Sequence, residues 1–185
     1  MTYEIRPARL ENLDGARSLM LDTFYHDLGY GYRPEWHRDV IELEETYLRT
    51  PRHALFVAVH DGQVVGTTAV RAQGPRNPPH PAWLVERYPD RSTGQLFRVY
   101  VRREHRRNGL ARDLVGQARD FVAATPGYEH LYLHSDTRSD GAEPFWKSVA
   151  RVVRDDRDGA PGHFQTVHYE IPLHPYEVAR AGSRV

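Results

Sequence analysis

The chain has 185 residues, of which 39% are hydrophobic, and its 25 basic and 25 acidic residues leave no formal net charge. A chain of this length can bury a sizeable core as one domain, and the lack of a basic excess speaks against a nucleic-acid-binding protein. Because cysteine is absent, disulfides, zinc–thiolate sites and cysteine-based covalent catalysis are excluded. No apolar stretch reaches membrane-spanning length and the N-terminus lacks a signal-peptide pattern, so we expect a cytoplasmic protein without a membrane partner.

The N-terminal part predicts a strand, two helices and a hairpin. Residues 3–6 suit a short strand. Two amphipathic helices follow, with apolar positions at Leu13, Ala16, Leu19, Met20 and Phe24 and at Trp36, Val40, Leu43 and Tyr47. Strands over 54–60 and 63–71 flank the dipeptide Asp61-Gly62, which is a strong hairpin signal.

The segment 72–93 differs in composition from the preceding strands, because prolines are concentrated between Gly74 and Pro81. Each proline fixes φ and removes a backbone donor, so this run is not expected to form regular structure. A structureless connection of this length is usually functional or disordered. We therefore interpret 72–93 as a lid on the substrate side, with Trp83 as a substrate contact.

An apolar run over 96–101 leads through a basic turn into a further helix. That helix has a clear apolar face, formed by Leu110, Ala111, Leu114, Val115, Ala118, Phe121 and Val122. The remaining pattern predicts a strand over 129–135, a short helix beginning near 140, and strands over 151–155 and 164–171. Residues 173–185 suit a loosely held tail.

The turn between strand and helix, Arg106-Arg107-Asn108-Gly109-Leu110-Ala111, has the composition of a phosphate-binding site. Free N–H groups and the positive end of the helix dipole attract an anion, and Gly109 lets that anion approach the main chain closely. Arg106 and Arg107 add full positive charges. A P-loop is excluded, since the Gly-Lys-Ser/Thr ending is missing.

This turn, with its spacing Arg-x-x-Gly-x-Ala, resembles the [Gln/Arg]-x-x-Gly-x-[Gly/Ala] motif of the GNAT family of acyl-CoA N-acyltransferases. Four segments around it are similar to the family's hairpin, fourth strand, fifth strand and last helix, namely 58–67, 99–105, 131–133 and 142–146. The resemblance extends over 1–172 and implies a single domain with an α/β fold. It implies a mixed, mostly antiparallel, splayed sheet of six to seven strands with helices on both faces, and acetyl-CoA as the acyl donor.

By position in that family, CoA would contact the fourth strand, the basic turn and the region of the last helix. The corresponding residues are Val99, Tyr100, Val101, Arg106, Arg107, Asn108, Gly109, Leu110, Ala111, Ser139 and Trp146. The Val99 N–H would polarise the thioester carbonyl, which becomes an oxyanion when attacked.

The family's usual acid and base are both missing from this chain. Trp146 stands where many members have a tyrosine acid, and Gln95 and Phe97 stand where some members have a strand base. His134 on the fifth strand is the candidate base, since histidine ordinarily titrates near neutrality. The leaving thiolate would be protonated by Tyr100 or Tyr132, or by solvent.

A small-molecule amine is the expected acceptor, and a set of aromatic and polar residues is predicted to receive it. This set is Tyr30, Tyr32, Trp36, Asp39, Trp83, Gln95 and Phe97. Rings and a carboxylate suit an ammonium group. The alternative is that Asp39, with Glu42, Glu44 and Glu45, forms a solvated helix face. Amino acids, aminoglycoside-like compounds, polyamines and peptides are all compatible with this pattern.

No metal site is predicted, because the histidines at 130, 134, 163, 168 and 174 have no evident carboxylate partners at compatible positions. The predicted function is acetyl-CoA-dependent N-acetylation by direct attack of the amine on the thioester. The alternative is a catalytically silent acyl-CoA-binding sensor or interaction module, which the missing acid and base motivate. A homodimer is a further open expectation, since members of the family are often dimers.

Overall fold

Seven strands and five α-helices occur within residues 2–174, which are the residues described by the computed structural model. The helices are α1 (Leu13–Asp22), α2 (Pro34–Ile41), α3 (Ala82–Arg87), α4 (Leu110–Ala124) and α5 (Ala142–Val149). The strands are β1 (Glu4–Pro7), β2 (Ala54–His60), β3 (Gln63–Ala72), β4 (Thr93–Val101), β5 (His130–Asp136), β6 (Arg151–Asp155) and β7 (Thr166–Ile171).

The strands are hydrogen-bonded in the order β1-β2-β3-β4-β5-β7-β6. The pairs β1–β2, β2–β3, β5–β7 and β6–β7 are antiparallel, whereas β4 and β5 are parallel. The protein therefore has the mixed seven-stranded sheet of an α/β fold, and the predicted fold class is confirmed.

The described chain divides into two compact units. The first unit comprises the residues up to Arg71 together with Leu96–Ala118, and the second comprises Ala72–Gln95 with the residues from Arg119 onward. Strand β4 and helix α4 each contribute residues to both units. The single domain over 1–172 stays a prediction, and of the predicted tail, 175–185 lie outside the described residues.

The first unit is built around the predicted hairpin and first helix. Apolar residues of α1 recur at helical spacing, so that Ala16, Leu19 and Met20 are buried together in one core with β2 and β3 residues. Asp61 and Gly62, with φ values of 47° and 76°, form the tight turn between these strands. Burial of this face stabilises α1, which at ten residues would be marginal alone.

The second predicted helix is interrupted. Helix α2 ends at Ile41, and a wider π-type turn covers Glu44–Arg49. His37 has non-helical backbone angles, which kink the helix between Trp36 and Val40. As a result Val40 is fully buried while Trp36 is 51% exposed, so the prediction that Trp36 shares the buried face is wrong.

The second unit corrects the interpretation of 72–93 as structureless. Helix α3 lies within it, and Leu84 and Tyr88 are fully buried in a core with Tyr132. Gly74 donates its N–H to Asp90 Oδ1 at 2.7 Å, and a Cβ built at Gly74 would lie 1.8 Å from the Tyr88 carbonyl oxygen. The segment is therefore anchored at both ends of α3, and its exposed residues are spread over 76–79, 82–83, 86–87 and 90–91.

No helix within the described residues is both long enough and apolar enough to cross a membrane.

Candidate active site

Strand β4 contains a backbone distortion just before Val99. Arg98 has a φ of +55°, a conformation that is costly for a residue with a side chain. Asp39 accepts hydrogen bonds from Arg98 Nε and Nη2 at 3.0 and 2.5 Å, and the Arg98 carbonyl accepts one from the Thr67 hydroxyl at 2.8 Å. These contacts hold the main chain in its distorted form. The distortion changes the direction of the backbone groups of Val99.

The same part of β4 lacks a parallel partner. Within the described residues, the ladder between β4 and β5 joins 93–95 to 130–132 and includes none of 96–101. Apart from the Val101 carbonyl, which accepts a hydrogen bond from Arg106, backbone groups on that side of 96–101 have no β5 partner and can pair with an extended ligand through main-chain hydrogen bonds.

The basic turn that follows has the geometry of an anion-binding nest. Arg107 and Gly109 both have positive φ values, 66° and 80°, and alternation of this kind turns successive N–H groups toward one concavity. Among residues 2–174, no acceptor lies in hydrogen-bonding geometry to the N–H groups of Arg107, Gly109, Leu110 or Ala111. A Cβ built on Gly109 would meet only Asp113 Oδ2, at 3.9 Å, so the space above Gly109 is open.

The two arginines of the turn differ in their surroundings. Arg106 donates to the Val101 carbonyl at 2.9 Å and forms an ion pair with Asp27, so its charge is largely compensated and it braces the turn. Arg103 binds the same carboxylate at 2.5 Å. Burial would raise the pKa of Asp27, but the hydrogen bonds from Arg106 and Arg103 outweigh it and lower that pKa below 3.8. Arg107, which is exposed, forms no ion pair within the described chain, so its charge is not compensated there.

The candidate base, His134, lies in the second unit beside Gln95. Gln95 Oε1 accepts from Gln73 Nε2 at 3.3 Å, which directs Gln95 Nε2 toward His134 Nδ1 at 3.4 Å. Because Gln95 Nε2 can only donate, this contact fits a neutral ring with its lone pair on Nδ1. The Tyr132 hydroxyl is also 3.4 Å from Nδ1, so both contacts are long and weak.

Titration of His134 near neutrality was expected, and the structure contradicts it. Desolvation by the surrounding protein, together with the neighbouring His80 and His168, lowers the pKa of His134 below its ordinary value of 6.5. Its side chain nevertheless keeps access to solvent. His134 is therefore a neutral histidine at physiological pH, in the form that can accept a proton.

Behind His134 lies a polar chain that the sequence did not predict. Tyr132 Oη is 2.7 Å from His168 Nδ1, and His168 Nε2 is 3.0 Å from Asp156 Oδ2. Tyr132 and His168 are fully buried, and burial raises the pKa of Tyr132. A tyrosine of raised pKa that already bonds a histidine is a poor acid for a leaving thiolate. No local motif marks these residues, since β5, β6 and β7 bring them together.

Only part of the residue set predicted to bind an ammonium group lies together in the structure. Tyr30, Tyr32 and Trp36 all lie around the ring of His37, at centroid distances of 5.6 to 6.2 Å. Asp39 does not join them as a free carboxylate, because Arg98 and the Tyr47 hydroxyl bind it in the interior. The prediction that Asp39 receives the amine is therefore wrong. The alternative of a solvated face is wrong for Asp39, which is only 6% exposed, whereas Glu42 and Glu45 are exposed.

The other predicted contacts fall in separate environments. Phe97 lies beneath the Arg71 guanidinium at 4.5 Å, in the first unit. Trp83 is 42% exposed, with the Arg154 guanidinium 5.7 Å from its ring centroid, in the second unit. Ser139 lies in the turn before α5, where its carbonyl accepts the Ala142 N–H. Trp146 is buried against Phe145 and Tyr169, as expected of a core residue.

Comparison with known proteins gives a consistent result. The model of the acetyltransferase (GNAT) family matches residues 16–150. N-acetyltransferase 8 of Mus musculus is 31% identical over 113 residues, which are 61% of this chain but only 44% of that protein. The match thus spans less than half the length of this relative.

Two solved structures share the fold. A GNAT-family acetyltransferase from Staphylococcus aureus Mu50 has a TM-score of 0.70 at 14% identity, covering 94% of this chain and 100% of that one. The PaiA N-acetyltransferase from Thermoplasma acidophilum, in complex with coenzyme A, has a TM-score of 0.64 at 16% identity, covering 92% and 99%. With the family model matching most of the chain, this protein belongs to the acetyltransferase (GNAT) family.

Proposed function

We propose that the chain transfers the acetyl group of acetyl-CoA to a primary amine of a small molecule or peptide. The observation that carries this proposal is the nest at 106–111, where backbone N–H groups without acceptors surround the open space above Gly109. Such a nest at a helix N-terminus suits a pyrophosphate. The structurally similar PaiA protein, which was solved with coenzyme A, supports the choice of ligand.

The residues present fit the rest of the acyl donor as well. The pantetheine arm resembles an extended peptide, and the side of 96–101 that β5 leaves unpaired can accept it. The distortion at Arg98 sets the orientation of the Val99 backbone. The Val99 N–H is the proposed donor to the thioester oxygen. Bound acetyl-CoA supplies an activated acyl group, since a thiolate is a good leaving group.

The proposed reaction needs one proton acceptor from the protein. The amine nitrogen forms a bond to the acyl carbon, the carbon–sulfur bond breaks, and sulfur departs with the electron pair. His134 Nδ1 takes the proton that the amine loses, directly or through water, because the neutral ring offers its lone pair there. Sulfur then gains a proton from solvent, since Trp146 is buried among aromatic rings and its indole is not an acid.

The test combines binding with thiol release. We expect acetyl-CoA at about one hundred times its dissociation constant to stabilise the chain by roughly 2.7 kcal/mol in a thermal melt. Amino acids, polyamines, aminoglycosides and peptides would then be tried in turn, with free CoA thiol measured by a chromogenic reagent. Longer acyl-CoA thioesters would be run alongside, to compare acyl chain lengths.

Each outcome has a definite meaning. Thiol release that requires both an amine and an intact nest supports the proposal. Binding without release above the hydrolytic background, with every amine, would favour the sensor function instead. No stabilisation by acetyl-CoA would contradict both functions.

A further inference from the structure

Three side chains with metal-binding atoms converge in the second unit. They are His80, in the proline-rich segment before α3, Asp156, directly after β6, and His168 on β7. One ligand atom from each lies within 4.8 Å of the other two. Asp156 and His168 are twelve residues apart and are brought together by the pairing of β6 with β7, whereas His80 comes from a distant part of the sequence.

The spacing of the donor atoms is close to that of a metal site. Two ligands of a tetrahedral zinc ion with bonds of about 2.0–2.1 Å lie about 3.3 Å apart. His168 Nε2 and Asp156 Oδ2 are separated by 3.0 Å. The ring of His80 stands edge-on to that of His168, with centroids 4.9 Å apart. Its ligand nitrogen lies within 4.8 Å of the other two ligand atoms, so binding would require His80 to move by up to about 1.5 Å.

The outer contacts of the three residues favour a bound cation. Tyr132 Oη lies 2.7 Å from His168 Nδ1 and can accept its proton, which directs the Nε2 lone pair toward Asp156. Arg154 holds Asp156 Oδ1 and leaves Oδ2 as a single ligand atom. Within the described residues, neither ring nitrogen of His80 has a hydrogen-bond partner, although the ring is half-buried.

We propose that His80, Asp156 and His168 bind one divalent transition-metal ion of the zinc type, leaving the remaining position to water. Two imidazoles and one carboxylate select such an ion over magnesium or calcium, which prefer oxygen ligands. The neighbouring Arg154 guanidinium reduces the affinity by like-charge repulsion. His134 is not one of the three ligands, although its ring centroid lies 5.1 Å from that of His80.

Metal binding at this site would change the hydrogen bonding of His134 through the Tyr132 hydroxyl group. A metal on His168 Nε2 places the ring proton on Nδ1, so Tyr132 Oη becomes an acceptor there. Its own hydrogen is then free to turn toward His134 Nδ1, at 3.4 Å. Without the metal, the Tyr132 hydroxyl instead donates to His168, whose Nε2–H donates to Asp156.

The test is a direct metal titration of the full chain after treatment with a chelator. Co²⁺ is added while its visible d–d absorption is followed, and Zn²⁺ is then used to displace it. We expect one equivalent to bind, and His80→Ala and Asp156→Asn each to weaken binding by about tenfold or more. His80→Ala is the decisive variant, because this half-buried loop residue is removed with least risk to folding.

The matched control is His163→Ala, which removes an exposed histidine paired with Asp158 at 2.6 Å. We expect this variant and His134→Ala to bind Co²⁺ as the wild type does. The proposal would be overturned by a wild-type chain that gives no Co²⁺ band, or by His80→Ala with unchanged affinity. Equal losses in His80→Ala and His163→Ala would also overturn it, because surface histidines would then explain the binding.

Discussion

Arg98 on β4 and Asp39 in α2 form a double hydrogen bond in the interior of the first unit, at 3.0 and 2.5 Å. Both side chains are less than 10% exposed, and the Tyr47 hydroxyl donates a third bond to Asp39 at 2.5 Å. This pair compensates two buried charges and holds the one residue of β4 with a positive φ. Its task is therefore to support the backbone before Val99.

Breaking this buried ion pair should lower the stability of the fold. We expect Asp39→Asn to lower the free energy of unfolding by about 3 kcal/mol, because Arg98 is left as an uncompensated buried charge. Urea denaturation would measure the change. Glu42→Gln is the control, since it removes the exposed ion pair with Arg38 and should cost no more than about 0.5 kcal/mol. Equal effects of the two substitutions would contradict the assigned role.

The Asp39 contribution should also depend on pH. Burial would raise the pKa of Asp39, but the hydrogen bonds and charge of Arg98 outweigh it and lower that pKa below 3.8. A carboxyl with a lowered folded-state pKa stabilises above its unfolded pKa and loses this contribution as the pH falls through the folded value. The stability difference between wild type and Asp39→Asn should therefore be constant near neutrality and shrink below about pH 4. A difference that grows in acid would have the wrong sign.

Gly109 tests the phosphate nest. We expect Gly109→Ala to weaken acetyl-CoA binding by about 10- to 100-fold, because the new methyl group keeps a phosphate from the backbone N–H groups. Isothermal titration would measure the affinity. Gly159→Ala is the matched control, since Gly159 also has a positive φ, of 71°, and open space around it. Both variants should lose a similar 1–2 kcal/mol of stability from the left-handed backbone, but only the first should lose affinity.

His134 tests the proposed base. At saturating amine, kcat should fall in acid with a midpoint below 6.5, because the lowered pKa keeps the ring neutral down to lower pH. His134→Gln should abolish this limb and reduce kcat by about 10²- to 10⁴-fold. His130→Gln serves as control, since His130 lies on the same strand but bonds Glu170. A pH profile shared by wild type and His134→Gln would remove His134 from the mechanism.

Gly74 tests the anchoring of the segment before α3. We expect Gly74→Ala to cost about 3 kcal/mol or more, because its Cβ would lie 1.8 Å from the Tyr88 carbonyl oxygen. Gly162→Ala has no atom within 4 Å of the new Cβ and should be neutral or stabilise by about 0.5 kcal/mol. Thermal and urea unfolding would compare the two. If Gly74→Ala were as stable as Gly162→Ala, the segment 72–93 would not be anchored by this contact, and its interpretation as a loose lid would be favoured.

Features that depend on near neighbours in the sequence were predictable. The spacing of Leu13, Ala16, Leu19 and Met20 predicted α1, and Asp61-Gly62 predicted the turn between β2 and β3. Gly109, directly before α4, indicated in the same way a turn open to an anion, and phosphate binding there stays a prediction. Helix α3 was missed because the prolines on its N-terminal side obscured a short run whose burial is decided by Tyr132.

The partners of the charged and titratable side chains depended on the tertiary structure alone. Asp39 lies 59 residues from Arg98, and nothing near it in the sequence distinguishes a buried ion pair from a solvated acidic face. Likewise, His168 had no visible carboxylate partner until β6 and β7 placed Asp156 beside it. Periodicity and turn chemistry act over a few residues, so the sequence determined most of the elements, although not α3 or the interruption after α2. Desolvation and charge pairing act between distant segments, and only the packing of those segments decided which charged side chains were compensated.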